Sequence, residues 1–226
     1  MRKNLVCIGI TGIVLLTACI GGPKESFILP IPAPPVKQNQ LALTIDYKTK
    51  ASGEEIPEWV GHYEREGIPG IESLQEYQNK YVFVAKNTGA NFNALSQWTA
   101  GFMVTHDFAQ LVASRLQTRL TDAALLLYPD DEYGSFFEAA VKAASDTVYD
   151  GAAKEADFWL LKQYQAEDGV TVDREVYDFL VLVSITKNTL RYGIQNMLNT
   201  LQPGRPPTKN QIAAINRVKG ILFENF

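Results

Sequence analysis

At 226 residues the chain is long enough for one domain of ordinary size beyond its amino-terminal segment. Its 21 Lys and Arg against 25 Asp and Glu give a formal net charge of −4, which argues against a nucleic-acid-binding protein, because that function needs a basic face. The only two cysteines, Cys7 and Cys19, lie near the amino terminus, so the body of the chain has no disulfide framework.

The first eighteen residues read as an address. Arg2 and Lys3 are followed by an apolar stretch from Leu5 to Leu16 and then by small residues, the order of a secretory signal peptide. The stretch is shorter than the roughly 20 residues that an ordinary transmembrane helix needs. It ends in Leu16-Thr17-Ala18-Cys19, which resembles the lipobox of bacterial lipoproteins. That resemblance implies cleavage before Cys19, a diacylglycerol on its sulfur and often a third acyl chain, palmitate for example, on its amino group. Buried acyl chains contribute about 0.8 kcal/mol per methylene, so two or three of them hold a protein stably on a bilayer. Removal of residues 1–18 takes away Arg2, Lys3 and Cys7, which moves the net charge from −4 to −6 and leaves no free thiol. Ile20 rather than an aspartate follows the cysteine, so the outer membrane is the expected destination. No other apolar run is long enough to span a bilayer.

Residues 19–40 are rich in proline (23, 30, 32, 34, 35) and glycine (21, 22), a composition that gives an extended or flexible spacer. The body, residues 41–226, begins with Leu41–Tyr47, whose alternation predicts a strand. Pro57, Gly61, Gly67 and Pro69 break the next segment into loop or short helix. Lys80–Lys86 is β-branched and aromatic on both faces and predicts an interior strand closed by Asn87-Thr88-Gly89. Leu95, Trp98, Phe102, Ala109, Val112, Leu116 and Leu120 recur at helical spacing and predict one long helix over 93–120. Pro129 and the acids Asp130, Asp131 and Glu132 predict the start of a second helix, with Phe136, Phe137, Ala140, Val141, Ala144 and Val148 as its buried stripe. Lys154–Gln165 and Glu175–Thr186 read as a hairpin around Asp168-Gly169, and the second strand, apolar on both faces from Tyr177 to Val183, should be central. Lys187–Leu201 predicts a helix, and Thr208 caps a last one carrying Ile212, Ile215 and Leu222. The order strand, helix, helix, strand, strand, helix points to an α+β domain: a small, mostly antiparallel sheet with long helices on one face.

Several details line up with a known family. Pro57-x-Trp59 precedes a strand ending in Val84-Ala85 and Gly89; a helix opening at Ala94-Leu95 follows; then come a strand with Trp159 and another with Leu180 to Val183. Over residues 57–186 this resembles the bacterial lipoproteins typified by a twenty-kilodalton membrane-associated lipoprotein antigen, a module similar to the amino-terminal domain of the flagellar T-ring protein. The family's Gly-x-Gly after the first strand is here Asn87-Thr88-Gly89. The resemblance implies an envelope scaffold and carries no catalytic residues.

No nucleophile elbow, zinc-protease helix or phosphate-cradling glycine loop occurs in the sequence. His62 with Glu66 and His106 could hold a metal, but their spacing fits no known ligand set, and satisfied or exposed histidines are the simpler reading. Asp130, Asp131 and Glu132 lack the alternation of a calcium loop. Glu155, Asp157, Glu167, Asp168 and Asp173 ring the hairpin and could do acid–base work, although solvated acids at a hairpin tip are the commoner meaning. Trp98 and Trp159 read as core; Trp59, between Pro57 and Gly61, is the candidate exposed aromatic contact for a partner. The sequence therefore predicts a lipid-anchored envelope protein, non-enzymatic and without cofactor or metal. It is expected to reach the membrane through Cys19 and to bind envelope proteins or its own copies, with the flagellar or another envelope apparatus as the expected setting. The alternative is a periplasmic ligand-binding protein or a hydrolase using the carboxylates near Glu155–Asp173.

Overall fold

A computed structural model describes residues 42–127, 131–166 and 168–201, together with residues 212, 216, 223 and 226. The signal segment, Cys19 and the spacer lie outside the described residues, as do Ile215 and Leu222 of the last expected helix; Ile212 and Asn216 are helical. In chain order the elements are β1 (Ala42–Tyr47), α1 (Glu58–Glu66), α2 (Ile68–Glu72), β2 (Lys80–Gly89), α3 (Phe92–Gly101), α4 (Val104–Leu127), α5 (Asp131–Ser145), β3 (Ala153–Gln165), β4 (Val172–Thr186) and α6 (Lys187–Thr200). The strands form one antiparallel sheet in the order β1-β3-β4-β2. The α+β class read from the sequence is the observed one.

The sheet separates two cores, and β4 belongs to both. Side chains alternate across a strand, so Val181, Val183 and Ile185 face the layer of α4, α5 and α6, where they meet Phe83, Phe108, Val112, Leu116, Leu190 and Ile194. Leu180 and Leu182 face the opposite side, with Val82, Phe158 and Leu160, under α1 and α2. Every β4 residue from Asp178 to Ile185 is buried, which explains an apolar run without alternation. The three long helices α4, α5 and α6 thus share one face, and the two short ones cover the other.

The single long helix expected over 93–120 is two helices. Asn91 caps α3, its side chain accepting from the Ala94 N–H at 3.1 Å. The chain leaves helical geometry after Gly101, with Phe102 at φ −63° and ψ 116°. Asp107 then accepts from the Met103 N–H at 2.6 Å and restarts the helix as α4. α5 ends at Ser145, so Val148, assigned by its spacing to the buried stripe, lies beyond the helix and is exposed. β2 runs on through Asn87-Thr88-Gly89.

α1 and α2 meet at a sharp corner. Gly67 takes φ +68°, and Gly70 sits so close to α1 that a Cβ there would lie 2.7 Å from the His62 carbonyl oxygen. β2, expected from its apolar pattern to be interior, is an outer strand of the sheet: its residues are buried by helices on the two faces, not by a strand on each side. Both outer strands are blunted by side chains. Lys50 donates to the Ile45 carbonyl at an irregularity of β1. On β2 the Val82 N–H donates to Glu72 Oε1 at 3.3 Å, and its carbonyl accepts from Arg115 Nη1 at 3.0 Å, so an ion pair stands where a further strand would.

Candidate functional site

Two charged constellations stand out, one on the α1 face of the sheet and one at the outer edge of β2. On the α1 side, β4 carries Asp178 at the start of its fully buried run, with 1% of its side chain exposed. An unpaired carboxylate there would be prohibitively costly. Asp178 Oδ2 is 2.8 Å from Lys86 Nζ of β2 and 2.9 Å from Lys162 Nζ of β3, and its Oδ1 accepts from the Thr88 hydroxyl at 2.6 Å. Lys162 also pairs with Glu64 of α1. Burial works against the charge on Asp178, but Lys86 and Lys162 outweigh it and hold its carboxyl below the ordinary aspartate range. Burial likewise disfavours the charge on Lys162, and Asp178 and Glu64 reverse that, so its ammonium titrates above the usual lysine range. Both partners stay ionised at neutral pH: the acid has no proton to give and the amine no lone pair to attack with. The cluster fixes β2, β3, β4 and α1 against one another.

At the outer edge of β2, the Glu72–Arg115 pair opens onto a pocket of about 340 Å³. Arg115 Nη2 lies 3.2 Å from Glu72 Oε1, and its guanidinium lies 5.4 Å from the centre of the Tyr81 ring and 5.1 Å from those of Phe83 and Phe226. Burial lowers its pKa, against the pull of Glu72. Arg119 of α4 and Lys187 and Arg191 of α6 line the same pocket. Arg191 Nε donates to the Tyr81 hydroxyl at 2.9 Å, and Lys187 Nζ donates to the Gln78 carbonyl at 2.8 Å.

The residues singled out in the sequence are placed as follows. Trp59 is not an exposed contact: it is 7% exposed and belongs to the core beneath α1 and α2. Pro57 opens α1, and the first turn of that helix carries Trp59 against the sheet rather than into solvent. The carboxylates do not form one group. Glu155, near the start of β3, bonds Lys80 at 2.7 Å and accepts from Ser184. Asp168 sits at the other end of the hairpin, about 35 Å away at the rise of an extended strand. The bonds from Lys80 and Ser184 hold Glu155 below its usual range. Asp157, despite partial burial, is held low by Lys48 and Lys154, and Asp168 by the Thr171 hydroxyl and the amides of Thr171 and Val170. A general acid needs the opposite shift. Glu167 lies outside the described residues. His62 faces Glu58 at 3.6 Å on α1, and His106 faces its neighbour Asp107 at 3.0 Å on α4. Among the described residues no three of His, Cys, Asp or Glu are grouped to hold a metal, and no helix is long and apolar enough to cross a membrane.

One surface feature escaped the sequence reading. Phe92, 36% exposed at the start of α3, packs edge-on against Trp159, Tyr177 and Phe179 at centroid distances of 5.4, 5.2 and 5.3 Å. Trp159 is therefore part of a partly open aromatic platform across the middle of β3 and β4.

Compared with known proteins, the chain matches no family model, no curated protein and no solved structure.

Proposed function

We propose that this protein is a lipid-anchored bacterial envelope protein, outer-membrane-sorted, whose α+β domain acts as a protein-binding or assembly scaffold rather than as an enzyme. The observation that carries the reading is Leu16-Thr17-Ala18-Cys19 at the end of a short apolar run, followed by a proline- and glycine-rich spacer that reaches to the first strand at Ala42. A diacylated cysteine supplies the membrane affinity, and a spacer of that length lets the domain reach a neighbour in the envelope. The ionised, lysine-paired carboxylates fit a structural role better than an acid–base one. The resemblance to the lipoprotein and flagellar-ring module makes envelope machines, the flagellar one first, the place to look for the partner. With Trp59 buried, the Phe92 platform takes over as the surface to test, since partly exposed aromatics resting on a rigid base are favoured contact residues.

Labelled palmitate should enter the wild-type protein in cells and not Cys19→Ala; label retained by the variant overturns the anchor. Crosslinking in intact cells followed by affinity capture, with Phe92→Ala beside wild type, tests the scaffold. A partner or a second copy captured by wild type and lost in Phe92→Ala supports it. Capture of neither overturns it.

A further inference from the structure

We propose that the pocket between α2, α4, α6 and the outer edge of β2 is an anion site that takes a phosphate group, on a soluble phosphate ester or on a phospholipid headgroup. Its described side chains carry four cations, Arg115, Arg119, Lys187 and Arg191, against one carboxylate, Glu72, in a chain whose overall charge is negative. Arg115 is already committed, to Glu72 and to the Val82 carbonyl. The other three have capacity left. Among the described residues the nearest acid to Arg119 is Asp122 at 4.0 Å, too long for a firm pair. Lys187 and Arg191 bond only to uncharged oxygens among the described residues: Lys187 to the Gln78 carbonyl, and Arg191 to the Tyr81 hydroxyl and, at 3.2 Å, the Phe223 carbonyl. Those bonds fix where the two side chains point without neutralising them. An ammonium has three donors and a guanidinium five, so most of their donors remain for a guest. Like charges gathered around one cavity repel, and a multiply charged acceptor relieves that repulsion while offering oxygens to several forks at once. The Tyr81 and Phe226 rings form the apolar part of the wall, which suits a phosphate carrying an organic group better than a bare ion.

The test uses the full chain in neutral detergent micelles, with labelled inorganic phosphate in equilibrium dialysis at constant ionic strength set by potassium chloride. Saturable binding of one phosphate per chain is expected. Arg119→Gln and Lys187→Gln, both at partly exposed positions and, among the described residues, with no carboxylate closer than 4.0 Å, should each weaken binding about tenfold, the usual loss for one charge-assisted bond. Lys142→Gln, an exposed lysine of α5 outside the pocket, should leave binding unchanged. Competition then separates the sources. Phosphatidylglycerol in the micelles that displaces the label more strongly than glycerol phosphate in solution identifies a headgroup site; equal displacement identifies a site for soluble esters. Absence of saturable binding at millimolar phosphate overturns the proposal. So does binding that survives in the double variant Arg119→Gln/Lys187→Gln while circular dichroism shows a wild-type fold.

Discussion

Replacing Asp178 with asparagine keeps the shape of the side chain and removes the charge that two lysines share. Removing one partner of a buried ion pair costs about 3–5 kcal/mol, because the other charge is stranded. Here the two survivors differ. Lys86 is 35% exposed and can turn toward water, whereas Lys162 is 10% exposed and keeps only Glu64. The cost should therefore fall near the lower limit, about 3 kcal/mol at neutral pH, or roughly a 6–12 °C drop in Tm for a domain of this size. Urea unfolding followed by tryptophan fluorescence reads it as a shift of midpoint at unchanged slope. The pH dependence carries the sign. Asp178 titrates below its unfolded value of about 3.9, so its contribution is fully present above that pH and is lost as the pH falls through the lower, folded value. The gap between wild type and Asp178→Asn should be constant from pH 5 to 8 and close in stronger acid. Adding Lys162→Met to Asp178→Asn removes the stranded charge, and the double variant should recover at least about 1 kcal/mol. A single-variant loss under about 1 kcal/mol, or a gap that persists to the lowest pH at which the protein folds, would refute the assignment of the cluster as the charged clamp of the sheet.

Two further predictions concern packing. Val181, fully buried in β4 against the α4–α6 layer, should not tolerate Val181→Asp, which buries an unpaired charge; circular dichroism should show no cooperative melting, and a variant that melts like wild type would mean the core is misplaced. Gly70→Ala pushes a methyl group to 2.7 Å from the His62 carbonyl and 2.8 Å from Glu66 Cβ, so α1 and α2 must separate at a cost of about 1–3 kcal/mol; faster amide exchange confined to those helices would report it, and unchanged exchange would contradict the close approach.

The sheet was largely legible because its strands carry strong, distinct patterns. Tyr177 to Val183 is apolar on both faces, and the strand is indeed central, buried by helices above and below. The helix break at Phe102 was not legible, because Trp98, Phe102, Ala109 and Val112 keep a helical spacing across it. Only Gly101 and the reach of Asp107 back to Met103 mark the restart. Trp59 was misjudged for a related reason. Proline and glycine nearby signal irregular backbone, and irregular backbone was equated with exposure, yet the corner formed by Gly67 and Gly70 folds that segment flat onto the sheet. The charged cluster had a readable sign that went unused: an acid inside a strand buried on both faces must be paired. Of its partners, Lys162 comes from the neighbouring hairpin strand and Lys86 from β2, distant in sequence, and only the register brings both to the acid. The basic pocket had no sign at all, since Arg115, Arg119, Lys187 and Arg191 meet only once α4 and α6 are both packed against β2.

The strand order has a consequence for how the chain finds this structure. β3 and β4 are joined by a short turn and can zip locally, but both outer strands come from far away: β2 meets β4, and β1 meets β3, across roughly a hundred intervening residues. Closing loops of that length is entropically slow, so the central hairpin, which needs only local contacts, is expected to form before β2 and β1 join it. Until β2 arrives, Asp178 has one lysine instead of two and β4 has a bare edge. The same hairpin that ends as the most protected part of the protein begins as its most vulnerable one.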